Sequence, residues 1–226
     1  MSTLILKTPE NHQLQVTVTS LIIAGWAGRD RHHVEEHIRE LEAIGVPRPS
    51  SVPLFYRLSA QMLTQADEIE VLGPDSSGEA EVVLIGTDDG MWVTVGSDHT
   101  DRRVEAYSVA VSKQMAPKPV AREAWRFDEV VGHWDRLTLQ SFAIIGGEAV
   151  PYQAGTVAGL LDPRTLIADY TGGDSRLATG QAMLCGTLAV IGGIRPAEAF
   201  EVHLDDPVLG RRIVHRYTTK VLPVIA

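Results

Sequence analysis

The sequence carries a single cysteine, Cys185, among 226 residues. An internal disulfide is therefore excluded, as is a metal cluster held by several thiolates. Basic residues are also few: Lys and Arg total 20 against 29 Asp and Glu, a formal charge of −9. Nucleic acid, whose phosphates require clustered cations, is not an expected partner of such a chain. An anionic membrane surface is disfavoured for the same reason. No stretch approaches the ~18 apolar residues of a membrane span. Met1 to Lys7 lacks a basic start followed by a long apolar run, so it does not read as a signal peptide, and the cytoplasm is the expected compartment. A small anionic substrate stays compatible with the charge, because a bound cation inverts the local field.

What is present fits one globular domain over residues 1–226. Hydrophobic residues are 44% and charged residues 22% of the chain, a usual balance, and this length buries enough apolar surface to need no staple. Leu4 to Lys7 and Gln13 to Ala24 are rich in β-branched residues and predict an opening hairpin at about 1–24. Asp30 can cap a helix over 31–44, where Val34, Ile38, Leu41 and Ile44 recur at helical spacing and Gly45 and Pro47 mark the stop. Pro47 to Pro53 reads as extended chain. Glu79 to Gly86 and Met91 to Gly96 flank Asp88-Asp89-Gly90, a hairpin signal. Thr100 can cap a second helix, with Val104, Tyr107, Ser108 and Val111 on one face. Residues 116–180 read only as short strands and turns. Phe200 to Leu204 and Arg212 to Leu222 predict strands about a turn at 205–210. The pattern is mainly β with a few helices.

Glu79 and Glu81 are two apart on a strand and so point to one face. A two-residue turn at Asp89-Gly90 places Asp98 directly across from Glu81, on the same face. Three carboxylates would then converge into a hard-oxygen site suited to Mg²⁺ or Mn²⁺. A solvated strand face is the ordinary alternative for a Glu-x-Glu pair, and a three-residue turn would send Asp98 to the other side.

The sequence about these acids resembles the fumarylacetoacetate-hydrolase family. Ser97-Asp98-His99-Thr100-Asp101-Arg102-Arg103-Val104-Glu105 is similar to its motif Asn-Asp-x-Ser-Ala-Arg-Asp-x-Gln, matching by type at Asp98, Thr100 and Arg102. In that family the aspartate and an upstream Glu-x-Glu strand ligate a metal, which implies Glu79, Glu81 and Asp98 here. Asp30 to Glu36 looks like Tyr-x-x-His-x-x-Glu, implying a His33–Glu36 dyad, with His32 an alternative. Residues three apart on a helix can hydrogen-bond, and a carboxylate raises the basicity of an imidazole that must take a proton from water. Pro53-Leu54-Phe55 resembles the Pro-x-x-Phe that follows the dyad. Ser112 to Pro119 resembles the family's lysine segment, implying Lys113 as the group that steadies negative charge, with Lys118 the runner-up. Leu177 to Thr187 resembles Leu-x-x-Gly-Asp-x-Ile-x-x-Gly-Thr, with Gln181 in place of the aspartate; Thr187 and Arg102 are the implied substrate contacts. Cys185 reads as a small packed residue, and His99 and His133 as ordinary polar residues.

The resemblance covers about 20–120 and 175–226, and extends to a bacterial subgroup known only as a domain of unknown function. It implies a mixed β-roll, a β-sandwich-like body commonly assembled as a homodimer. It also implies hydrolytic carbon–carbon cleavage of a keto acid or 1,3-dicarbonyl through a metal-stabilised enolate. Decarboxylation, hydration and isomerisation share that enolate. A non-catalytic protein that binds a metal or sugar acid is the remaining class.

Overall fold

A computed structural model describes residues 1–43 and 47–225. The expected hairpin forms from β1 (Ser2–Lys7) and β2 (Gln13–Val18). The second run of β-branched residues does not continue in that hairpin. It divides at Thr19, where the backbone N–H groups of Thr19 and Ser20 both donate to Gly180 O, and β3 (Ser20–Gly25) enters a different sheet. Next comes α1 (Arg31–Ala43). Asp30 caps it as expected, its Oδ1 accepting from His32 N at 2.9 Å. Ile38 is buried, Val34 is half-buried, and the Leu41 side chain, Ile44 and Gly45 lie outside the described residues.

The chain continues through β4 (Leu54–Leu58), β5 (Leu63–Thr64), β6 (Glu68–Leu72), β7 (Ser76–Ser77), β8 (Ala80–Thr87), β9 (Gly90–Ser97) and β10 (Thr100–Asp101). The predicted second helix is in fact two: α2 (Arg102–Glu105) and α3 (Val109–Met115). Asp101, not Thr100, caps the first, accepting from Val104 N at 2.8 Å, while Thr100 pairs with Ser77. Ser108 caps the second. The break leaves Tyr107 and Val111 in solvent rather than on a shared buried face.

Residues 116–180 are more regular than the sequence suggests. They form β11 (Lys118–Pro119), β12 (Trp125–Arg126), α4 (Phe127–Val130), the long pair β13 (Thr138–Ile145) and β14 (Glu148–Thr156), and α5 (Pro163–Thr171). The chain then runs through β15 (Gln181–Thr187), β16 (Ala199–Asp206) and β17 (Arg211–Leu222).

Two mixed sheets carry the architecture: six strands in the order β12-β9-β8-β15-β3-β4, and five in the order β14-β13-β16-β17-β6. The pairs β3–β15 and β6–β17 are parallel. Strand β8 is apolar along most of its length because both its faces are covered. Val82 and Leu84 point into a cluster shared with Leu139, Val202, Leu204 and Ile213 of the five-stranded sheet. Val83 and Ile85 point the other way, against Leu4, Leu6, Val16 and Val18 of the opening hairpin. The product is the mainly β, mixed-sheet body expected. No helix of the described residues is long and apolar enough to cross a membrane.

Candidate metal centre

Glu79 immediately precedes β8, Glu81 is its second residue, and Asp98 immediately follows β9. One ligand oxygen from each lies within 4.8 Å of the other two. The register differs from the sequence expectation. Glu81 faces Gly96 and Ala80 faces Ser97, so the turn is Asp88-Asp89 and Asp98 lies opposite Glu79. Sliding a two-residue turn by one position moves every facing partner by two, which keeps each side chain on its face. Asp98 therefore still meets both glutamates.

Glu81 is buried and accepts a hydrogen bond from Gly186 N at 2.7 Å. A register shift in β15 between Leu184 and Thr187 turns that N–H inward. Gly186 has φ +94°, and a Cβ there would sit 2.8 Å from the Ala27 Cβ, so the position requires glycine. Burial, then the charges of Asp98 and Glu79, push the Glu81 carboxyl well above the usual carboxylate range.

Three cations surround the acids. Lys113 Nζ, from α3, bonds Asp98 Oδ2 closely and Glu79 Oε2 at 3.4 Å. Lys118 Nζ, from β11, bonds His99 O and lies 3.2 Å from Asp98 Oδ1. Arg102 donates through Nε to Ser77 Oγ at 2.7 Å and through Nη1 to Glu79 Oε1 at 3.0 Å and Glu105 Oε2 at 2.8 Å; its buried Nη2 meets no protein acceptor. Burial alone would raise Asp98, but Lys113 and Lys118 more than offset it and hold the carboxyl below its ordinary value. Lys113 is held above the lysine range by Asp98, Glu79 and Glu105 in spite of its burial. For Lys118 burial wins over Asp98, and its pKa is lowered. Both lysines weighed from sequence thus reach the same aspartate.

The donor set fits a hard divalent cation. Oxygens bonded to one ion at roughly 2.1–2.4 Å lie no more than about 4.2–4.8 Å apart, and these three lie within 4.8 Å of one another. A cation among them would also offset the mutual repulsion that disfavours ionised Glu81.

The His33–Glu36 bond expected on α1 is not formed. His33 Nδ1 pairs instead with Asp30 Oδ2 at 3.0 Å, and Glu36 takes His32 at 3.4 Å, with both imidazole side chains 80% exposed. The physical reason is the cap: Asp30 already accepts from the backbone of residues 32 and 33 and leaves its second oxygen beside the His33 ring. The helix begins four residues beyond Ala27, the residue packed on Gly186.

Thr187 is likewise engaged elsewhere than expected. Its hydroxyl donates to Ala80 O at 2.8 Å and accepts from Gln153 Nε2 at 2.6 Å, so the proton expected to reach a substrate is taken by the protein. Sequence reasoning missed Gln153 altogether, as well as the chain Ser76–His99–Tyr217–Ser97 that ends on Glu79 N. Burial and the Lys118 charge push His99 down to about 3, so it is a neutral member of that chain. Cys185 is packed as expected, burial raising its thiol pKa. His133 bonds Asp206 at 3.0 Å, away from the carboxylate trio.

Layered mixed sheets with an acidic trio at one hairpin's open end define a protein of the fumarylacetoacetate-hydrolase fold. Within that class, the chain belongs to the family described as Protein of unknown function (DUF2848), whose model matches residues 24–217. No curated protein matches it. A structure described as a fumarylacetoacetate isomerase/hydrolase from Oleispira antarctica is similar at TM-score 0.66 and 18% identity, over 98% of this chain and 100% of that one. A fumarylacetoacetate hydrolase family protein from Yersinia pestis CO92 is similar at 0.65 and 18%, over 94% and 99%. A 2-keto-3-deoxy-D-arabinonate dehydratase complexed with magnesium and 2,5-dioxopentanoate is similar at 0.66 and 13%, over 92% and 74%. At these identities the likeness is one of fold.

Proposed function

We propose that this protein is a Mg²⁺- or Mn²⁺-dependent enzyme that cleaves a carbon–carbon bond of a small anionic keto acid or 1,3-dicarbonyl by hydrolysis. The observation that carries the reading is the convergence of Glu79, Glu81 and Asp98 within 4.8 Å. The magnesium-bound dehydratase of the same fold, with its dioxo acid, supports the substrate class.

In this reading the three carboxylates hold the cation, which supplies Lewis-acid polarisation of the substrate oxygens. Lys113, kept as an ammonium by its acidic neighbours, offers positive charge where negative charge develops. Arg102 fixes Glu79 through Nη1, and its buried Nη2, without an acceptor among the described residues, is the donor left for a substrate carboxylate. His33 exchanges Asp30 for Glu36 and takes the proton of the attacking water; both partners are exposed, so the exchange meets no packing barrier. The enzyme acts in the cytoplasm as a homodimer, with residues 1–226 forming one domain.

A second reading is favoured by one observation, the His33–Asp30 pair, which leaves Glu36 to His32 at 3.4 Å and His33 without it. In it the same site runs a dehydration, decarboxylation or isomerisation, and no water is added to the product.

The test is a melting-temperature screen with divalent cations and a panel of keto acids, followed by product mass. A rise with Mn²⁺ and a further rise with a keto acid are expected. Two fragments whose masses sum to the substrate plus one water give the hydrolase; a single product of unchanged mass, or one lighter by water or carbon dioxide, gives the second reading. No response to any cation or keto acid contradicts both.

A further inference from the structure

Two β-bulges converge on the peptide between Glu79 and Glu81. In β14 the register passes from Ser141–Gln153 to Phe142–Pro151, so Tyr152 is an extra residue. A bulge lets consecutive side chains point the same way. Tyr152 and Gln153 are accordingly both buried, at 0% and 1% exposure. Tyr152 packs on Phe200. The Gln153 carboxamide reaches Ala80: its Oε1 accepts from Ala80 N at 2.9 Å and from Ser141 Oγ at 2.8 Å. Its Nε2 donates to Thr187 Oγ1 at 2.6 Å and to Leu188 O at 2.7 Å. Each of its two donors and both acceptor sites are thereby used. The second bulge, in β15, sets Thr187 opposite Glu81, where its hydroxyl donates to Ala80 O at 2.8 Å.

The N–H and the C=O of Ala80 are therefore each bonded to a side chain, and those two side chains are bonded to each other. We propose that Gln153 and Thr187 are positioning residues, a clamp on Ala80 that fixes the directions of the Glu79 and Glu81 carboxylates for the cation. This rests on the proposed cation site. Residue 80 lies between the two acids, so any tilt of its peptide planes carries both carboxylates with it. Metal ligands tolerate little displacement, and loss of the groups that orient them typically lowers metal affinity about 10–100-fold. A residue serving only the fold would lower stability without changing the affinity of the molecules that remain folded.

The experiment is a Mn²⁺ titration, read by loss of the free-ion electron paramagnetic resonance signal, on the wild type and on Gln153→Leu, Thr187→Val and Thr187→Ser. Circular dichroism and melting without cation verify that each is folded. Gln153→Leu and Thr187→Val should lose about tenfold or more in Mn²⁺ affinity, while Thr187→Ser, which keeps the hydroxyl, should stay within about twofold. Folded Gln153→Leu and Thr187→Val proteins with wild-type affinity and only lower melting temperatures would overturn the clamp and leave the cation site standing. A wild type that leaves the Mn²⁺ signal untouched would overturn both. Should Gln153→Leu not fold, the two Thr187 variants decide, and equal affinities between them refute the clamp.

Discussion

The amide of Asp98 donates to the carbonyl oxygen of Glu79 across 2.9 Å, which makes them facing positions at the open end of one hairpin. Asp98 is also the acid that both buried lysines reach. Removing it would leave Lys113 and Lys118 buried beside each other with much of their compensation gone. Breaking a buried ion pair from one side costs about 3–5 kcal/mol. Asp98→Ala should lose that much in urea unfolding, and Mn²⁺ should no longer raise its melting temperature. A variant that responds to cations like the wild type would remove Asp98 from the site.

Lys113→Met should act in the opposite sense on the cation. Without the ammonium, Glu79 and Asp98 keep their charges with less to offset them, so the cation-free protein is destabilised by roughly 3 kcal/mol. The same change makes the site more negative. The rise in melting temperature on adding Mn²⁺ should therefore exceed that of the wild type; a smaller rise would mean that Lys113 supports the cation rather than substituting for it.

The His33 side chain is 80% exposed, pairing with Asp30 and meeting the His32 ring edge-on, so His33→Ala should shift stability by no more than about 0.5 kcal/mol. Mn²⁺ affinity should be nearly intact. Turnover, on the hydrolase reading, should vanish. Normal turnover in this variant would move the proton acceptor elsewhere and favour the second reading.

The hairpin shows how far the sequence reaches. Side chains alternate along a strand, so any two-residue turn that keeps Glu79, Glu81 and Asp98 on one face gives the cluster, and the cluster was legible before the register was. The register itself was not. Asp89-Gly90 has the composition of a tight turn, but Thr87 Oγ1 donates to Asp89 Oδ1 at 2.6 Å and Arg126 Nη2 to Asp89 Oδ2 at 2.9 Å, which fixes the turn one residue earlier. Arg126 is far away in sequence, and nothing local announces it.

Acid should expose a second buried carboxylate. Burial would raise Asp206, but the N–H groups of Leu209 and Val208 and the His133 side chain together hold it below its ordinary value. A carboxyl whose folded pKa is depressed stabilises the fold above its unfolded pKa of about 3.9 and loses that contribution as pH falls through the lower folded value. Asp206→Asn should therefore be less stable than the wild type at pH 7, the two urea midpoints converging as pH falls through the lowered folded pKa of Asp206. Parallel curves at all pH values would contradict a charged role for Asp206.

The middle of the chain was illegible for a different reason. Helix α5 carries plain signals, Asp162 capping Arg164 N at 2.8 Å with Pro163 behind it and Gly172 at φ +80° closing it. In β14, however, the bulge breaks the two-residue alternation, so Tyr152 and Gln153 are buried side by side where a regular strand would expose one. A buried glutamine looks like a surface glutamine in sequence. The His33–Glu36 bond is replaced for a more local reason, because Asp30 both caps α1 and pairs with His33, while Glu36 pairs with His32.

Calorimetric titration of Mn²⁺ into the wild type, Glu81→Gln and Asp98→Asn tests the central claim most directly. Binding of one ion per wild-type chain, lost in both variants while they stay folded, is the predicted result. No binding to the wild type, or equal binding to all three, would contradict it.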